Sequence, residues 1–293
     1  MNCGYVALIG RPNVGKSTLM NHLLGQKISI TSRKPQTTRH RILGISTTDA
    51  GQAVYLDTPG MHQNEKRALN RYLNRTADTT LAGVDLVVWL IDGLSWQTYD
   101  EVIFRKLQSA GLPVILVVNK IDRLKSKEHI LAFFAQAKEK FPFTQMIPVS
   151  ALKGQNLDQL QSAIMGLLPE GELIYPEDQI TDRSERFLAA EIIREKLTRR
   201  LGDELPYAIT VEIERYEEHA KLAKIYGLIW VERSTQKSIV IGKHGEKLKK
   251  IGIDARKDIE NLIHKKVYLQ LWVKVKKGWS DNERALQSLG FNE

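Results

Sequence analysis

Cysteine is almost absent from the sequence, since Cys3 is the one cysteine among 293 residues, and no internal disulfide can form. Long apolar runs are missing too. The longest, from Val84 to Ile91, contains Asp85, whereas a membrane-spanning helix needs about 20 apolar residues. No basic and apolar leader precedes Tyr5 to Ile9, which runs directly into a glycine-rich stretch. We therefore expect neither secretion, nor membrane spanning, nor a structural zinc site.

Positive charge is in excess. Lys+Arg 43 against Asp+Glu 34 gives a net charge of +9. Residues 243–277 hold 11 basic and four acidic residues, and no acid lies between Lys27 and Arg41. Clusters of this kind favour a polyanionic partner, either nucleic acid or an anionic membrane surface.

Residues 1–168 alternate short apolar strands with helical stretches, which is typical of an α/β domain with a mostly parallel sheet. The expected strands are Tyr5–Ile9, Arg41–Thr47, Gln52–Asp57, Asp85–Asp92, Pro113–Asn119 and Gln145–Ser150. The expected helices are Lys16–Leu24, Lys66–Asp78, Tyr99–Ala110, Lys127–Lys140 and Leu157–Leu168. Residues 169–182 are rich in acids and proline, and we interpret them as a linker.

Residues 183–293 predict a second, smaller domain of the α+β class. An amphipathic helix from Arg183 to Leu201 opens it, and Gly202 ends that helix. The elements expected after it are strands Tyr207–Arg215 and Lys224–Glu232, a short apolar segment Ser238–Ile241, a basic helix Glu246–Ile263, a strand Lys266–Val275 and a C-terminal helix Asp281–Leu289.

A phosphate-binding loop is the clearest motif. Residues 10–17 read Gly-Arg-Pro-Asn-Val-Gly-Lys-Ser and match G-x-x-x-x-G-K-[ST], after an apolar strand and before a helix. Backbone N–H groups of such a loop wrap the phosphates, Lys16 neutralises the β- and γ-phosphates, and Ser17 holds Mg²⁺. The loop residues predicted to bind nucleotide are Gly10, Arg11, Pro12, Asn13, Val14, Gly15, Lys16, Ser17 and Thr18.

Two further strings favour guanine over adenine. Asn119, Lys120 and Asp122 follow an apolar strand, and the Asp122 carboxylate can accept from the N1–H and the N2 amino group of guanine. Adenine offers no such donors, so ATP would leave a carboxylate unmatched and should be rejected. Ser150 and Ala151, at the next strand end, are placed to present a backbone N–H to guanine O6.

The string Asp57-Thr58-Pro59-Gly60 ends a strand and supplies a second anchor. Asp57 would reach Mg²⁺ through water, and the Gly60 N–H would contact the γ-phosphate. A threonine that caps Mg²⁺ in the GTP state is expected in the basic loop before the second strand. The spacing allows Thr37 or Thr38, and we favour Thr38. The predicted metal set is Ser17, Thr38 and, through water, Asp57, and the predicted catalytic set is Lys16, Thr38, Asp57 and Gly60.

Together these strings resemble the translation-factor-related GTPases, and residues 10–41, 191–216, 240–260 and 271–290 narrow the resemblance to the Era family. They read GRPNVGKSTLMNHLLGQKISITSRKPQTTRHR, EIIREKLTRRLGDELPYAITVEIERY, VIGKHGEKLKKIGIDARKDIE and LWVKVKKGWSDNERALQSLG. The resemblance covers nearly the whole chain. It implies a P-loop GTPase domain over 1–168, the linker over 169–182 and a type II KH domain over 183–293. It also implies binding near the 3′ end of small-subunit rRNA, in 30S ribosomal subunit assembly.

Met61 follows the glycine of the Asp57–Gly60 string, where Ras-like proteins carry a glutamine that orients the attacking water. A thioether cannot orient water, so we expect slow intrinsic hydrolysis, in agreement with the hydrophobic residue of the Era-type subgroup. The water could be activated by a backbone carbonyl of the loop before Thr38, by a bound potassium ion (K⁺), or by a group from a partner.

Gly242-Lys243-His244-Gly245 is a GxxG string between an apolar segment and a basic helix. Taken alone it favours an ordinary turn, but the resemblance favours a KH loop that binds an RNA backbone. The residues predicted to bind RNA are Ile241, Gly242, Lys243, His244, Gly245, Lys247 and Lys250. Trp272 suits base stacking, and Trp279 suits either stacking or packing of the C-terminal helix.

We expect a monomeric, cytoplasmic, GTP-dependent switch that binds small-subunit rRNA within the 30S precursor, with ribosomal proteins as further partners. Two alternatives stay open. One is a constitutive RNA chaperone whose nucleotide is structural. The other is a signalling GTPase with peripheral contact to the cytoplasmic face of the inner membrane.

Overall fold

The computed structural model of the chain describes residues 1–32, 34, 37–59, 68–69, 71–73, 81–124, 126, 128–202, 208–289 and 291. These residues form two compact units. The first unit holds residues 1–29 and 38–59 and the described residues between 73 and 182. The second unit holds the described residues of 30–37, of 68–72 and of 183–291.

Six strands form the sheet of the first unit, in the order β2-β3-β1-β4-β5-β6. They are β1 (Asn2–Gly10), β2 (Ile42–Thr48), β3 (Gly51–Asp57), β4 (Leu86–Asp92), β5 (Val114–Asn119) and β6 (Gln145–Pro148). Strand β2 is antiparallel to β3, and the other neighbours are parallel. Strands β4 and β5 are buried along nearly their whole length, as expected for a sheet covered on both faces. The predicted mostly parallel α/β fold is confirmed.

The described helices of the first unit are α1 (Lys16–Leu23), α2 (Thr98–Ala110), α3 (Glu128–Lys140) and α4 (Leu157–Leu167). Each lies within a residue or two of the helix expected there. The expected helix 66–78 falls mostly outside the described residues. The phosphate-loop motif therefore stands between a buried strand, β1, and the helix α1 that follows it, as its chemistry requires.

Residues 169–182, predicted as a linker, lie in the first unit. The backbone N–H of Cys3 donates to Pro169 O at 2.9 Å, and the N–H of Ile45 donates to Ile180 O at 2.8 Å. These bonds hold the start of the segment against β1, inside the sheet, and its end against β2, the edge strand.

The second unit follows the order helix, strand, strand, helix, helix, strand, helix. Its elements are α5 (Glu185–Arg200), β7 (Ile209–Glu218), β8 (Leu222–Val231), α6 (Ser234–Ile241), α7 (Glu246–Ile263), β9 (Lys266–Val275) and α8 (Glu283–Ser288). Strand β8 pairs antiparallel with β7 and parallel with β9. The apolar segment 238–241 is the end of helix α6. None of the described helices of either unit is long and apolar enough to cross a membrane.

The core of this unit lies between helices α5 and α7 and one face of the three-stranded sheet. Ile193 of α5, Ile225 of β8 and Ile251 and Ile259 of α7 are fully buried there. Helix α7 is amphipathic, because its buried residues recur at helical spacing while its lysines stay at the surface. The packing thus leaves the basic side of α7 available to a ligand.

Helix α5 departs from the amphipathic helix that the sequence predicts. Its charged side is buried along with its apolar side, since Glu195 is 0% exposed and Arg194 is 3% exposed. Buried charges are costly unless they are paired with other groups. A pattern of polar and apolar positions cannot reveal such burial, because the segment that covers the polar side lies far away in the chain.

The two tryptophans near the C-terminus have different surroundings. Trp279 is fully buried, stacks on Phe291 with ring centroids 6.2 Å apart, and donates from Nε1 to Ala208 O at 3.2 Å. Trp272 is 39% exposed and lies parallel to Tyr226. The structure therefore supports the packing interpretation of Trp279.

Candidate functional site: a nucleotide cleft and a GxxG loop

The phosphate-loop motif joins β1 to α1 through two positions that only glycine fits. Gly10 has φ of 144°, and a Cβ there would lie 2.3 Å from Leu90 O. Gly15 has φ of 108°, and a Cβ there would lie 2.3 Å from Asn119 Nδ2. Both angles lie in the left-handed region that L-residues avoid. The two glycines thus let the loop approach its neighbouring strands closely.

Lys16, in the first turn of α1, is folded back onto the loop. Its Nζ donates to Gly10 O at 2.9 Å and to Arg11 O at 3.1 Å, and only 7% of the residue is exposed. Burial lowers the pKa of Lys16 to about 8, although the charge of Asp57 opposes this shift. An anion bound in the loop would restore the charged form, so the buried ammonium is poised for phosphate.

Asp57, at the end of β3, is fully buried and gathers hydroxyl groups. Its Oδ2 accepts from Ser17 Oγ at 2.6 Å and from Ser29 Oγ at 2.7 Å. Thr38 Oγ1 lies 2.9 Å from Ser17 Oγ and 3.5 Å from Asp57 Oδ2. Burial raises the pKa of the Asp57 carboxyl, and these hydroxyls and Lys16 only partly offset that effect.

This cluster fits a magnesium ion. Within the described part of the chain, Asp57 Oδ1 is buried without a hydrogen-bond partner, which leaves a carboxylate oxygen ready to accept from a metal-bound water. Hydroxyl and carboxylate oxygens are ligands that Mg²⁺ prefers. The other candidate threonine lies elsewhere, because Thr37 Oγ1 contacts Ser32 Oγ at 2.6 Å and donates to Lys34 O at 2.7 Å.

Two residues of this site were missed by the sequence analysis. Ser29 contributes a fully buried hydroxyl to Asp57. Asn21 of α1 holds Ser29 in place, since its Oδ1 accepts from the N–H groups of Ile28 and Ser29 at 2.9 Å each and its Nδ2 donates to Ser29 O at 2.7 Å. The one available signal was a lone hydroxyl between two isoleucines, which no spacing rule singles out.

Asn119 brings the predicted strings together. Its Nδ2 donates to Val14 O in the phosphate loop at 2.7 Å. Its Oδ1 accepts from the N–H of Lys120 at 2.8 Å and from the N–H of Ala151 at 2.9 Å. One amide, 3% exposed, therefore joins the phosphate loop to both predicted guanine-binding strings. The Ala151 N–H that we assign to guanine donates to Asn119 in this structure.

Asp122 is exposed, and its Oδ1 accepts a hydrogen bond from Ser150 Oγ. The free-energy penalty for adenine must therefore arise on binding, when the base shields the Asp122 carboxylate from water without donating to it. Lys120 adopts φ of 64°, and its Nζ donates to Asn13 O at 2.7 Å and pairs with Asp92. Asp92, at the end of β4, was not among the predicted residues, although an acid at the carboxyl end of a parallel strand is a known signal.

The other residues predicted to bind nucleotide differ in burial and in contacts. The Arg11 side chain is buried beside Asp100 of α2, with Nε 3.5 Å from the carboxylate, so its backbone is the part that faces the loop interior. Thr58 is buried and donates from Oγ1 to Leu8 O at 3.3 Å. Pro12 and Thr18 are half-buried, and Pro59 is buried. Gly60 and Met61 lie outside the described residues.

The GxxG string forms the tight turn between α6 and α7. Gly242 has φ of 74°, and a Cβ there would lie 2.7 Å from Lys247 Cβ. His244 and Gly245 have φ of 51° and 77°, and the Gly245 N–H donates to Gly242 O at 3.2 Å. Three left-handed residues in four turn the side chains of Lys243 and His244 outward.

The residues predicted to bind RNA surround this turn. Lys243, His244 and Lys250 are exposed, whereas Ile241 and Lys247 are half-buried. Exposed apolar side chains stand on both flanking helices: Ile239 on α6 is 45% exposed and Ile253 on α7 is 38% exposed. A basic turn between apolar surfaces suits a single-stranded nucleic acid, which offers both phosphates and unstacked bases.

The lowered pKa of Lys16 gives a pH prediction for the nucleotide-free protein. The folded state loses the Lys16 proton near pH 8, whereas the unfolded chain keeps it to about pH 10.5. Below pH 8 the buried charge lowers the free energy of unfolding by its full amount. This lowering becomes smaller as the pH rises from 8 to 10.5. Relative to Lys16→Met, the free energy of unfolding of the wild type should rise by about 3 kcal/mol over this interval.

Chemical denaturation of both proteins at several pH values measures this difference, and the other titrating groups cancel because both proteins share them. A difference that stays constant from pH 8 to 10.5 would mean that the Lys16 charge is not destabilised by burial.

Comparison with known proteins finds a family match in each of the two units. Residues 5–120 match the family described as 50S ribosome-binding GTPase, and residues 204–280 match the KH domain family. The chain is 57% identical over 289 residues to GTPase Era of Ectopseudomonas mendocina, covering 99% of this chain and 97% of that protein. It is 55% identical over 291 residues to GTPase Era of Marinobacter nauticus, covering 99% and 95%.

Two solved structures match the whole fold. A single-residue variant of Aquifex aeolicus Era bound to GDP·AlF4⁻ has a TM-score of 0.97 at 40% identity, covering 100% of both chains. A complex of Era with MgGDPNP and nucleotides 1506–1542 of 16S ribosomal RNA has a TM-score of 0.96 at 40% identity, again covering 100% of both. With these matches across its full length, the chain belongs to the Era family of GTPases.

Proposed function

We propose that the chain binds and hydrolyses GTP with Mg²⁺, and that its second unit binds the 3′ region of 16S rRNA during assembly of the 30S subunit. The bonds of Asn119 carry the nucleotide part of the proposal, because they hold the phosphate loop, the Lys120–Asp122 string and Ala151 in one cleft. The Era complex with nucleotides 1506–1542 of 16S rRNA supports the RNA part.

The residues of the cleft have separate roles in binding the phosphates and the metal ion. The loop from Gly10 to Ser17 wraps the phosphates with its backbone N–H groups, and Lys16 leaves its loop carbonyls to pair with phosphate oxygens. Ser17 and Thr38 would ligate Mg²⁺, and Asp57 would accept from a water bound to it. When bound there, Mg²⁺ would neutralise charge on the phosphate oxygens.

Thr38 makes the site sensitive to the γ-phosphate. Its hydroxyl already lies within hydrogen-bond distance of Ser17, and a triphosphate with Mg²⁺ would hold it there, whereas loss of the γ-phosphate would release it. This is the order–disorder switching by which GTPases change their surfaces. Intrinsic hydrolysis is slow in this proposal, because Met61 cannot orient the water.

Several finer features remain predictions. K⁺, a backbone carbonyl or a partner group would activate the attacking water. Ribosomal proteins would be further partners, the chain would act as a cytoplasmic monomer, and contact with the inner membrane would be peripheral. The excess of positive charge supports contact with polyanions without choosing among them.

Asp122→Asn tests the choice of base. The amide can no longer accept from both donors of guanine, so GTP affinity should fall by about a hundredfold. Xanthosine triphosphate presents a carbonyl where guanine has its amino group, so its affinity should rise. Competition binding against a fluorescent nucleotide measures both. Asp158→Asn, a change of an exposed carboxylate in the first turn of α4, should leave both affinities unchanged, and equal GTP binding by the two variants would refute the role of Asp122.

The double variant Lys243→Glu/His244→Glu tests the GxxG loop. Two negative charges on the exposed turn should repel the RNA backbone and abolish binding of a single strand from the 3′ end of 16S rRNA. GTP affinity should not change, because the turn belongs to the second unit. Fluorescence anisotropy with labelled RNA measures the effect.

The matched control is His219→Glu/Lys221→Glu, which places the same charges on the exposed turn between β7 and β8. The control should bind RNA like the wild type. Undiminished RNA binding by the GxxG variant would show that the nucleic acid lies elsewhere.

A further inference from the structure

The segment that precedes Thr38 belongs to the second unit. We call Ile30–Thr37 the switch segment; its described residues are 30–32, 34 and 37. Its neighbours in the chain, Ser29 and Thr38, both belong to the first unit and both approach Asp57. The position of the Thr38 hydroxyl is therefore linked, through one peptide bond, to whatever holds Thr37.

Helix α5 holds the start of the switch segment. Glu195 Oε1 accepts from the Thr31 N–H at 2.9 Å and from Thr31 Oγ1 at 3.3 Å. Arg199 donates from Nε to Thr31 O at 3.0 Å and from Nη2 to Thr31 Oγ1 at 2.8 Å. Arg199 also pairs with Glu195 at 2.8 Å. Thr31 is thus bound through its N–H, its carbonyl and its hydroxyl by two charged side chains of one helix.

The same helix holds the end of the segment. Arg194 Nη2 donates to Thr37 O at 2.5 Å. The guanidinium is oriented by Glu191, which accepts from Nε at 2.7 Å and from Nη2 at 2.6 Å. Lys34, between these two contacts, donates to Leu201 O and to Gly202 O just beyond the end of α5. Each described part of the segment beyond Ser32 therefore contacts α5 or its C-terminal extension.

These contacts explain the buried charges of α5. Glu191, Arg194 and Glu195 are 5%, 3% and 0% exposed. Apolar residues would pack a helix at least as well, because desolvation of buried ion pairs often cancels their attraction. Unlike apolar groups, these charged side chains form hydrogen bonds with the backbone N–H and carbonyl groups of Thr31 and Thr37, and so fix the position of the switch segment along α5. Charge-assisted bonds of this kind are the stronger class of protein hydrogen bond.

We propose that Arg194, Glu195 and Arg199 form a clamp on α5 that positions Thr38 for the magnesium-bound triphosphate. They are positioning residues, since they reach the site through the switch segment. The proposal rests on the proposed function and adds how nucleotide state and RNA affinity are coupled. RNA that stabilises the bonds between α5 and the switch segment would raise the affinity for the triphosphate. By linkage, the triphosphate would raise the affinity for RNA by the same factor.

The double variant Glu191→Gln/Arg194→Met tests the clamp. The two substitutions remove both charges of the Glu191–Arg194 pair together, and Thr37 O loses the Arg194 donor. With Mg²⁺, the affinity for a non-hydrolysable GTP analogue should fall about tenfold, and the affinity for GDP should stay within twofold, because Thr38 acts only with the γ-phosphate present. The ratio of RNA affinities in the GTP-analogue and GDP states should move towards one.

Arg200→Met is the matched control. Arg200 lies on the same helix, is 39% exposed and pairs with Asp254 of α7, so its loss should leave the preference for triphosphate unchanged. Titration of both nucleotides against both variants and the wild type gives the readout, and thermal unfolding measures the stability of each variant.

A merely structural role of Arg194 would weaken GDP and the GTP analogue equally, and that result overturns the proposal. An unchanged preference for triphosphate in the double variant also overturns it. If the wild type bound no RNA, the proposed function would fail, but the nucleotide titrations would still decide the clamp, because they contain no RNA.

Discussion

The carboxylate of Asp57 receives hydroxyl groups from three separate parts of the chain, and the geometry of the nucleotide cleft depends on it. Ser17 comes from α1, while Ser29 and Thr38 come from the two sides of the switch segment. Because Asp57 is fully buried, each lost hydroxyl would weaken the hydrogen bonding of a charge that water does not reach, which is costly. The carboxylate therefore holds the two residues, Ser29 and Thr38, that lie on either side of the switch segment.

In our proposal, the bonds of Asp57 connect the metal site with the switch segment of the second unit. Ser29 and Thr38, on the two sides of the switch segment, approach one carboxylate, and Thr31 and Thr37 within the segment are bonded to α5. In our proposal, a change at Thr38 therefore alters the bonds that hold Thr37 and Thr31. Coupling of two sites requires an element that both of them bias, and we propose the switch segment as this element because its bonds to α5 can be changed one at a time.

The sequence predicts the nucleotide cleft well, because phosphate and guanine chemistry demand given residue types at given spacings. Gly10, Gly15, Lys16 and Asn119 are readable for that reason. Ser29 and the buried charges of α5 are not readable, because their partners are set by tertiary packing. Glu195 lies 164 residues from Thr31 in the chain, and no local pattern reports such a contact. The GxxG loop lies between these extremes, since its left-handed residues fit the string but four residues alone predict only a turn.

The most direct test of the account is GTP turnover by the full chain with and without a short single strand from the 3′ end of 16S rRNA, with ATP in parallel. We predict that RNA raises the rate of GTP turnover and that ATP is inert, because RNA bound to the second unit favours the clamped switch segment. Tight RNA binding with unchanged GTP turnover would contradict this account and would favour a constitutive RNA chaperone whose nucleotide is structural.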